Sequence, residues 1–109
     1  MDLECEQSIS STDVTAADIQ NAFADDAGRG GYIILSQSEQ VYIQAIGEGD
    51  GPYTLEYRQG SGERHYQCPQ DLTKEQVETA FLKYLTGDIA WQNDHEWQRL
   101  EIKPWWKFW

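Results

Sequence analysis

The alternation of apolar and polar residues predicts four β-strands in the middle of the chain. Residues 53–58 alternate most regularly, which would place three side chains on each face: Tyr53, Leu55 and Tyr57 on one, and Thr54, Glu56 and Arg58 on the other. Residues 32–35 are apolar on both faces, residues 41–46 are β-branched and aromatic, and residues 63–68 alternate less regularly. Short polar or Gly-rich connections separate the four segments, so they should pair as an antiparallel meander.

One of these connections, residues 47–52, is rich in glycine and invites comparison with phosphate-binding loops. Dinucleotide-binding and Walker loops lead from a strand into a helix, whereas a further strand follows here. Glu48 and Asp50 would repel a phosphate group, and two carboxylates fall short of the about six to eight oxygen ligands that Ca²⁺ prefers. We therefore interpret the segment as a hairpin connection.

Helical periodicity occurs in two segments. The first begins at Thr15, a predicted N-cap, and has three apolar residues on one side, Ile19, Ala22 and Phe23. The second begins with Thr73 and Gln76 in the pattern of a capping box and ends at Gly87. Its apolar stripe consists of Val77, Ala80, Phe81, Tyr84 and Leu85. Both stripes need a sheet to cover them, and the meander supplies one.

These elements predict an α+β fold in a single domain, residues 1–109. We expect an antiparallel meander of four to five strands, with an N-terminal helix and a long helix after strand four packed on one face. Residues 97–103 are the candidate fifth strand, which Pro104 should end because proline cannot donate to a β-ladder. The polar residues 1–11 should be frayed, and residues 92–96 should form a short helical turn.

The net charge of the chain indicates which classes of partner it can bind. The chain has 19 acidic and 8 basic residues and a net charge of −11, and its scattered basic residues do not form the clusters that neutralise phosphates, so we expect no nucleic-acid partner. A basic protein partner is compatible, because opposite charge speeds encounter. The sequence has no apolar run long enough for a membrane span and no basic or apolar signal region at its start, which predicts a cytoplasmic protein. Cys5 and Cys68 should then be free thiols.

Few residues suggest catalysis or metal binding. Asp94, His95 and Glu96 place an imidazole between two carboxylates, but adjacent residues do not share a face of a helix or strand. His65, the only other histidine, lies three residues before Cys68 on a predicted strand, so the two side chains should point to opposite faces. We therefore predict no catalytic residue, no metal site and no cofactor.

Aromatic residues concentrate at the C-terminus. Trp91 and Trp97 should complete the core, whereas residues 103–109 form a basic, aromatic tail. Because the aromatic side chains of the tail cannot all point one way along a strand, they are the candidate partner-binding residues: Trp105, Trp106, Phe108 and Trp109. The tail could dock on its own domain, on a foreign protein, or on a second copy to make a homodimer.

A family resemblance gives this prediction a sharper form. The stretch Ala-Phe-Leu-Lys-Tyr-Leu-Thr-Gly-Asp at residues 80–88, followed by Trp91 and Trp97, resembles the C-terminal part of some small bacterial immunity proteins. Such proteins neutralise toxins of polymorphic or contact-dependent systems. The resemblance, which covers about a quarter of the chain, implies a small acidic α+β inhibitor that plugs a cognate toxin. It transfers no binding residue to this chain.

The sequence thus favours a non-catalytic protein-binding domain, with an immunity-type inhibitor of a basic partner as the most specific version. Two alternatives stay open. One is a small-ligand binder or enzyme with a pocket between sheet and helix. The other is an oligomerising structural domain that uses the Trp-rich tail.

Overall fold

A computed structural model of the protein describes residues 1–6, 12–24 and 31–100. Within these ranges, six strands form one sheet whose spatial order follows the chain, and every neighbouring pair is antiparallel. The strands are β1 Asp2–Cys5, β2 Tyr32–Ser38, β3 Val41–Ile46, β4 Thr54–Gln59, β5 His65–Gln67 and β6 Gln98–Arg99. The described ranges also contain three α-helices: α1 Ala16–Ala24, α2 Lys74–Thr86 and α3 Ala90–Asn93. The predicted α+β class and antiparallel meander are confirmed.

The period-two alternation gives the sheet one apolar face. Across the first four strands the register aligns four buried side chains in a row, Leu3, Leu35, Ile43 and Tyr57. A second buried row runs through Cys5, Ile33, Ala45 and Leu55. Aligned apolar rows of this kind form a continuous surface that requires a covering layer.

Helices α1 and α2 bury their apolar sides in the same core as these rows. Phe23 of α1 packs edge-on against Phe81 of α2, with their ring centroids 5.2 Å apart. The capping box at Thr73 is formed: its hydroxyl accepts from the Gln76 backbone N–H at 3.2 Å, and the Gln76 side chain accepts from the Thr73 N–H at 2.8 Å. Gly87 ends α2 with a φ of 79°, a left-handed conformation that favours glycine.

An aromatic cluster closes one end of the core. Trp91 of α3 is buried and Trp97 is partly buried, and both pack edge-on against Tyr57 with centroid separations of 4.9 and 4.6 Å. The indole N–H of Trp97 donates to the Gln92 carbonyl at 2.9 Å. The expectation that these two tryptophans complete the core is therefore correct.

The sequence prediction is wrong at the start of the chain and at several element boundaries. Residues 2–5 are not frayed but form the edge strand β1, in which Leu3 and Cys5 are buried between exposed acidic residues. This alternation contains only two apolar residues, too few to stand out until β2 is present to pair with it. Residues 7–11 lie outside the described ranges.

The other differences lie beyond β4. Residues 62–64 form a 3₁₀ turn, which shortens β5 to three residues, and the short helix begins at Ala90 rather than at residue 92. The fifth predicted strand exists as the sixth, but only Gln98–Arg99 pairs within the described chain. No helix within the described ranges has the length and apolar character needed to cross a membrane.

Candidate functional site: the polar face of the sheet

The sheet has a second face, directed away from the helical core. Its side chains alternate with the buried rows, and most are half-buried or exposed. We call this surface the polar face; its members are Tyr32, Ile34, Tyr42, Gln44, Ile46, Glu56, Arg58, His65 and Gln67. Two of them, Glu56 and His65, are buried even so. Buried ionisable side chains are uncommon unless they are paired, so their partners determine what this face can do.

A continuous series of hydrogen bonds gives both buried side chains, Glu56 and His65, their partners. Arg58 lies directly across from His65 in the β4–β5 register, and its Nε donates to His65 Nδ1 at 3.1 Å. The other ring nitrogen, Nε2, lies 2.6 Å from Glu56 Oε1. Arg58 Nη1 also donates to the Gln40 side-chain oxygen at 2.8 Å. The Arg58 guanidinium and the His65 ring both approach the ring of Tyr42.

These hydrogen bonds fix the tautomer of His65. A guanidinium N–H can only donate, so Nδ1 must accept and carries no proton. The ring proton therefore lies on Nε2 and is donated to the Glu56 carboxylate. With both nitrogens engaged, His65 has no free nitrogen to offer a substrate. The arrangement stiffens the junction of β4 and β5 instead of presenting a general base.

An acidic edge borders the polar face on the β1 side. Asp2 and Glu4 are exposed and alternate with the buried residues of β1, so they lie on the polar side of the sheet. Glu6 Oε2 accepts from the Gly31 backbone N–H at 2.6 Å, and a Cβ added to Gly31 would lie 3.2 Å from that oxygen and 3.6 Å from Glu48 Oε1. We define the acidic edge as Asp2, Glu4, Glu6 and Glu48.

A shallow groove lies beside this edge. It has a volume of about 310 Å³ and is lined by Glu6, Gly31, Tyr32, Gln44 and Ile46. Ile46 is 42% exposed, so part of its aliphatic side chain is accessible from the groove. The groove therefore combines one carboxylate, that of Glu6, with the accessible apolar side chain of Ile46.

The residues that the sequence singled out for metal or catalytic chemistry are not brought together. Asp94 forms an ion pair with Lys83, with an Nζ to Oδ2 distance of 2.6 Å. The half-buried His95 ring packs edge-on against Trp97, and burial lowers its pKa although neighbouring Asp94 acts to raise it. His95 thus lies on the helical side of the sheet, whereas His65 lies on the polar side. Within the described residues, no group of three or more His, Cys, Asp or Glu is placed to hold a metal ion.

The two cysteines do not extend this chemistry. Cys5 and Cys68 are both buried, and neither forms a disulfide bond. His65 is instead engaged by Arg58 and Glu56, so no Cys–His nucleophilic pair forms. The sequence placed Glu56 and Arg58 on one face correctly but missed their link to His65, because that contact depends on the β4–β5 register.

The predicted partner-binding residues Trp105, Trp106, Phe108 and Trp109 lie outside the described part of the chain, so their role stays a prediction. Comparison with known proteins finds no matching family model, no matching curated protein and no matching solved structure. The likeness to immunity proteins consequently stays a prediction as well. The chemistry of the chain's own surfaces is the basis for assigning a function.

Proposed function

We propose that the protein is a non-catalytic domain that binds a basic protein partner through the acidic edge and the adjoining groove of the polar face. The observation that carries the proposal is the exposed Ile46 residue, which lines one groove with Glu6 and Gly31, beside which Glu48 also lies. Interfaces commonly combine a desolvated apolar anchor with a charged rim.

The acidic edge favours Lys- and Arg-bearing surfaces. Asp2, Glu4 and Glu6 follow one another along the same side of the edge strand, and Glu48 reaches the same area from the β3–β4 connection. Several carboxylates in a small area raise the local negative potential, which accelerates the approach of a basic protein and disfavours an acidic one.

The polar face also presents apolar surface that a bound partner can cover. Ile46 is exposed, and Tyr32 and Ile34 on the same face are only partly buried. Covering them would remove apolar area from water, which is the main favourable contribution to protein association. The predicted aromatic anchors of the tail, Trp105, Trp106, Phe108 and Trp109, are proposed as a second contact with the same partner.

The hydrogen bonds of His65 favour a binding function over a catalytic one. Its two ring nitrogens are occupied by Arg58 and Glu56, and these hydrogen bonds hold the β4–β5 part of the polar face in one arrangement. A face that is rigid before binding loses less conformational entropy when the partner docks. The most specific version of the proposal is an immunity-type inhibitor that covers the functional surface of a basic toxin, as the sequence resemblance implies.

The test compares two charge reversals on a purified complex with a partner isolated from the native organism. Glu4→Lys on the acidic edge and Glu75→Lys on α2 each replace an exposed acidic residue, and each changes the net charge from −11 to −9, since −1 becomes +1. We expect Glu4→Lys to weaken binding about tenfold and Glu75→Lys to weaken it less than about twofold.

An apolar variant completes the design. Ile46→Ala should weaken binding by about 1–2 kcal/mol in calorimetry and should lower the free energy of unfolding by less than about 2 kcal/mol, because Ile46 is 42% exposed in the free protein and only part of its side chain is buried. Equal effects of the two charge reversals, with none from Ile46→Ala, would place the interface elsewhere. Substrate turnover by the purified protein would contradict the non-catalytic assignment.

A further inference from the structure

A separate pocket opens at the opposite side of the sheet from the polar face. It has a volume of about 370 Å³ and lies where the ends of β2 and β4 meet the C-terminal end of α2 and the short helix α3. The side chains that define its chemistry are Gln37, Gln59, Gln92, Tyr84, Ile89 and Trp91. Its size is at the lower end of the range of small-molecule sites.

The lining of this pocket is uncharged, although the chain has a net charge of −11. Three of the lining side chains, Gln37, Gln59 and Gln92, are primary amides. Each amide offers N–H donors and a carbonyl acceptor. A ligand that both donates and accepts hydrogen bonds without a formal charge would match this set, whereas an anion would lack a counter-charge.

Tyr84 adds an unused donor. The residue is only 6% exposed, and among the described residues its hydroxyl has no hydrogen-bond partner. Burial raises the pKa of Tyr84 to about 12, so the hydroxyl keeps its proton at neutral pH. The exposed Gln37 side chain partly offsets this rise but lies outside hydrogen-bonding geometry with the hydroxyl. Buried polar groups without a partner are rare, and a ligand entering beside Gln37 would supply one.

Apolar surface faces the same space. Ile89 is 68% exposed, the highest value among the large hydrophobic side chains of the described chain, and it lines the pocket next to Trp91. An apolar wall opposite several amides is suited to a ligand with one hydroxyl-bearing edge and one C–H face.

We propose that this pocket binds a neutral carbohydrate, a mono- or disaccharide. Sugar hydroxyls donate and accept in the same way as the glutamine amides, and one of them would give the Tyr84 hydroxyl its missing partner. The C–H face of the sugar ring would pack on Ile89, the exposed apolar residue of the lining. The pocket shares no lining residue with the groove beside the acidic edge. The sugar site and the protein-binding site can therefore be tested independently.

The experiment is a titration of the full chain with glucose, galactose, N-acetylglucosamine and maltose, followed by NMR of the glutamine side-chain amides and the tryptophan indoles. We expect at least one sugar to shift the signals of Gln59, Gln92 and Trp91 saturably, and glucuronate to bind about tenfold more weakly because of its charge. Absence of a saturable shift with all four sugars would overturn the proposal, as would equal or tighter binding of glucuronate.

Two substitutions identify the site. Tyr84→Phe removes only the unpartnered hydroxyl, so it should leave the denaturant midpoint unchanged or raised while weakening sugar binding about tenfold. Tyr32→Phe, which removes the same atom on the other side of the sheet, should leave sugar binding unchanged. Gln59→Leu should weaken binding to a similar extent, and its exposed side chain makes misfolding an inadequate explanation. Unchanged affinity in both pocket variants would move the sugar site elsewhere and contradict the assignment.

Discussion

At the scale of single residues, the buried Glu56–His65 pair is the feature that sequence reasoning did not reach. The alternation of residues 53–58 placed Glu56 and Arg58 on the face opposite the core, which is correct, and such positions are usually solvated. Glu56 is buried in contact with His65, which is brought opposite Arg58 by a hairpin register that includes a 3₁₀ turn. Neither the register nor the turn can be inferred from the local pattern, so the contact could not be predicted.

The pair should contribute measurably to stability because removing one member leaves the other buried without its partner. We expect His65→Leu to lower the free energy of unfolding by about 1–3 kcal/mol, the range for an unsatisfied buried polar group. The measurement is urea denaturation of the wild type, His65→Leu, Glu56→Leu and the double variant.

The double variant separates the interaction from the loss of each side chain. If the two groups stabilise the sheet as a pair, Glu56→Leu with His65→Leu should be less destabilised than the sum of the two single changes. Additive effects would show that Glu56 and His65 are energetically independent despite their 2.6 Å contact.

At the scale of elements, predictions succeeded where the signal is local. Helix α2 begins with a capping box and ends at a glycine, and both devices act within a few residues of the chain, so Lys74–Thr86 was predicted correctly. Strand β1 was missed because its existence depends on pairing with residues about thirty positions away. The candidate groove could not be predicted for the same reason, since it is formed by Glu6, which follows β1, together with residues of β2 and β3.

The capping box of α2 can be tested on its own. Thr73→Ala removes the hydroxyl that accepts from the Gln76 N–H and should reduce the free energy of unfolding by about 1 kcal/mol. Thr79→Ala makes the same substitution at an exposed position in the middle of the helix, where alanine is the better helix former, and should be neutral or slightly stabilising. Comparable losses in the two variants would indicate that the cap has no special role.

At the scale of the whole molecule, the net charge favours a basic protein partner over a second copy of the chain. The net charge of −11 makes two copies repel each other, and the acidic edges would bring like charges close together. Association through this edge is therefore expected with a basic protein and not with a second copy. The homodimer predicted through the C-terminal tail involves residues 103–109, beyond the described ranges, and stays a separate prediction.

Salt dependence tests this electrostatic account. The Debye length shortens from about 30 Å at 0.01 M salt to about 8 Å at 0.15 M, so long-range attraction between the acidic edge and a basic partner should weaken strongly over this interval. We expect stopped-flow association rates to fall about tenfold or more across it, with the dissociation rate changing much less.

Glu4→Lys should flatten the salt dependence more than Glu75→Lys, although both variants have the same net charge. If the two variants had identical salt slopes, net charge alone would steer the encounter and the acidic edge would have no particular role. A dissociation rate that carried the whole salt effect would instead point to ion pairs formed only after docking.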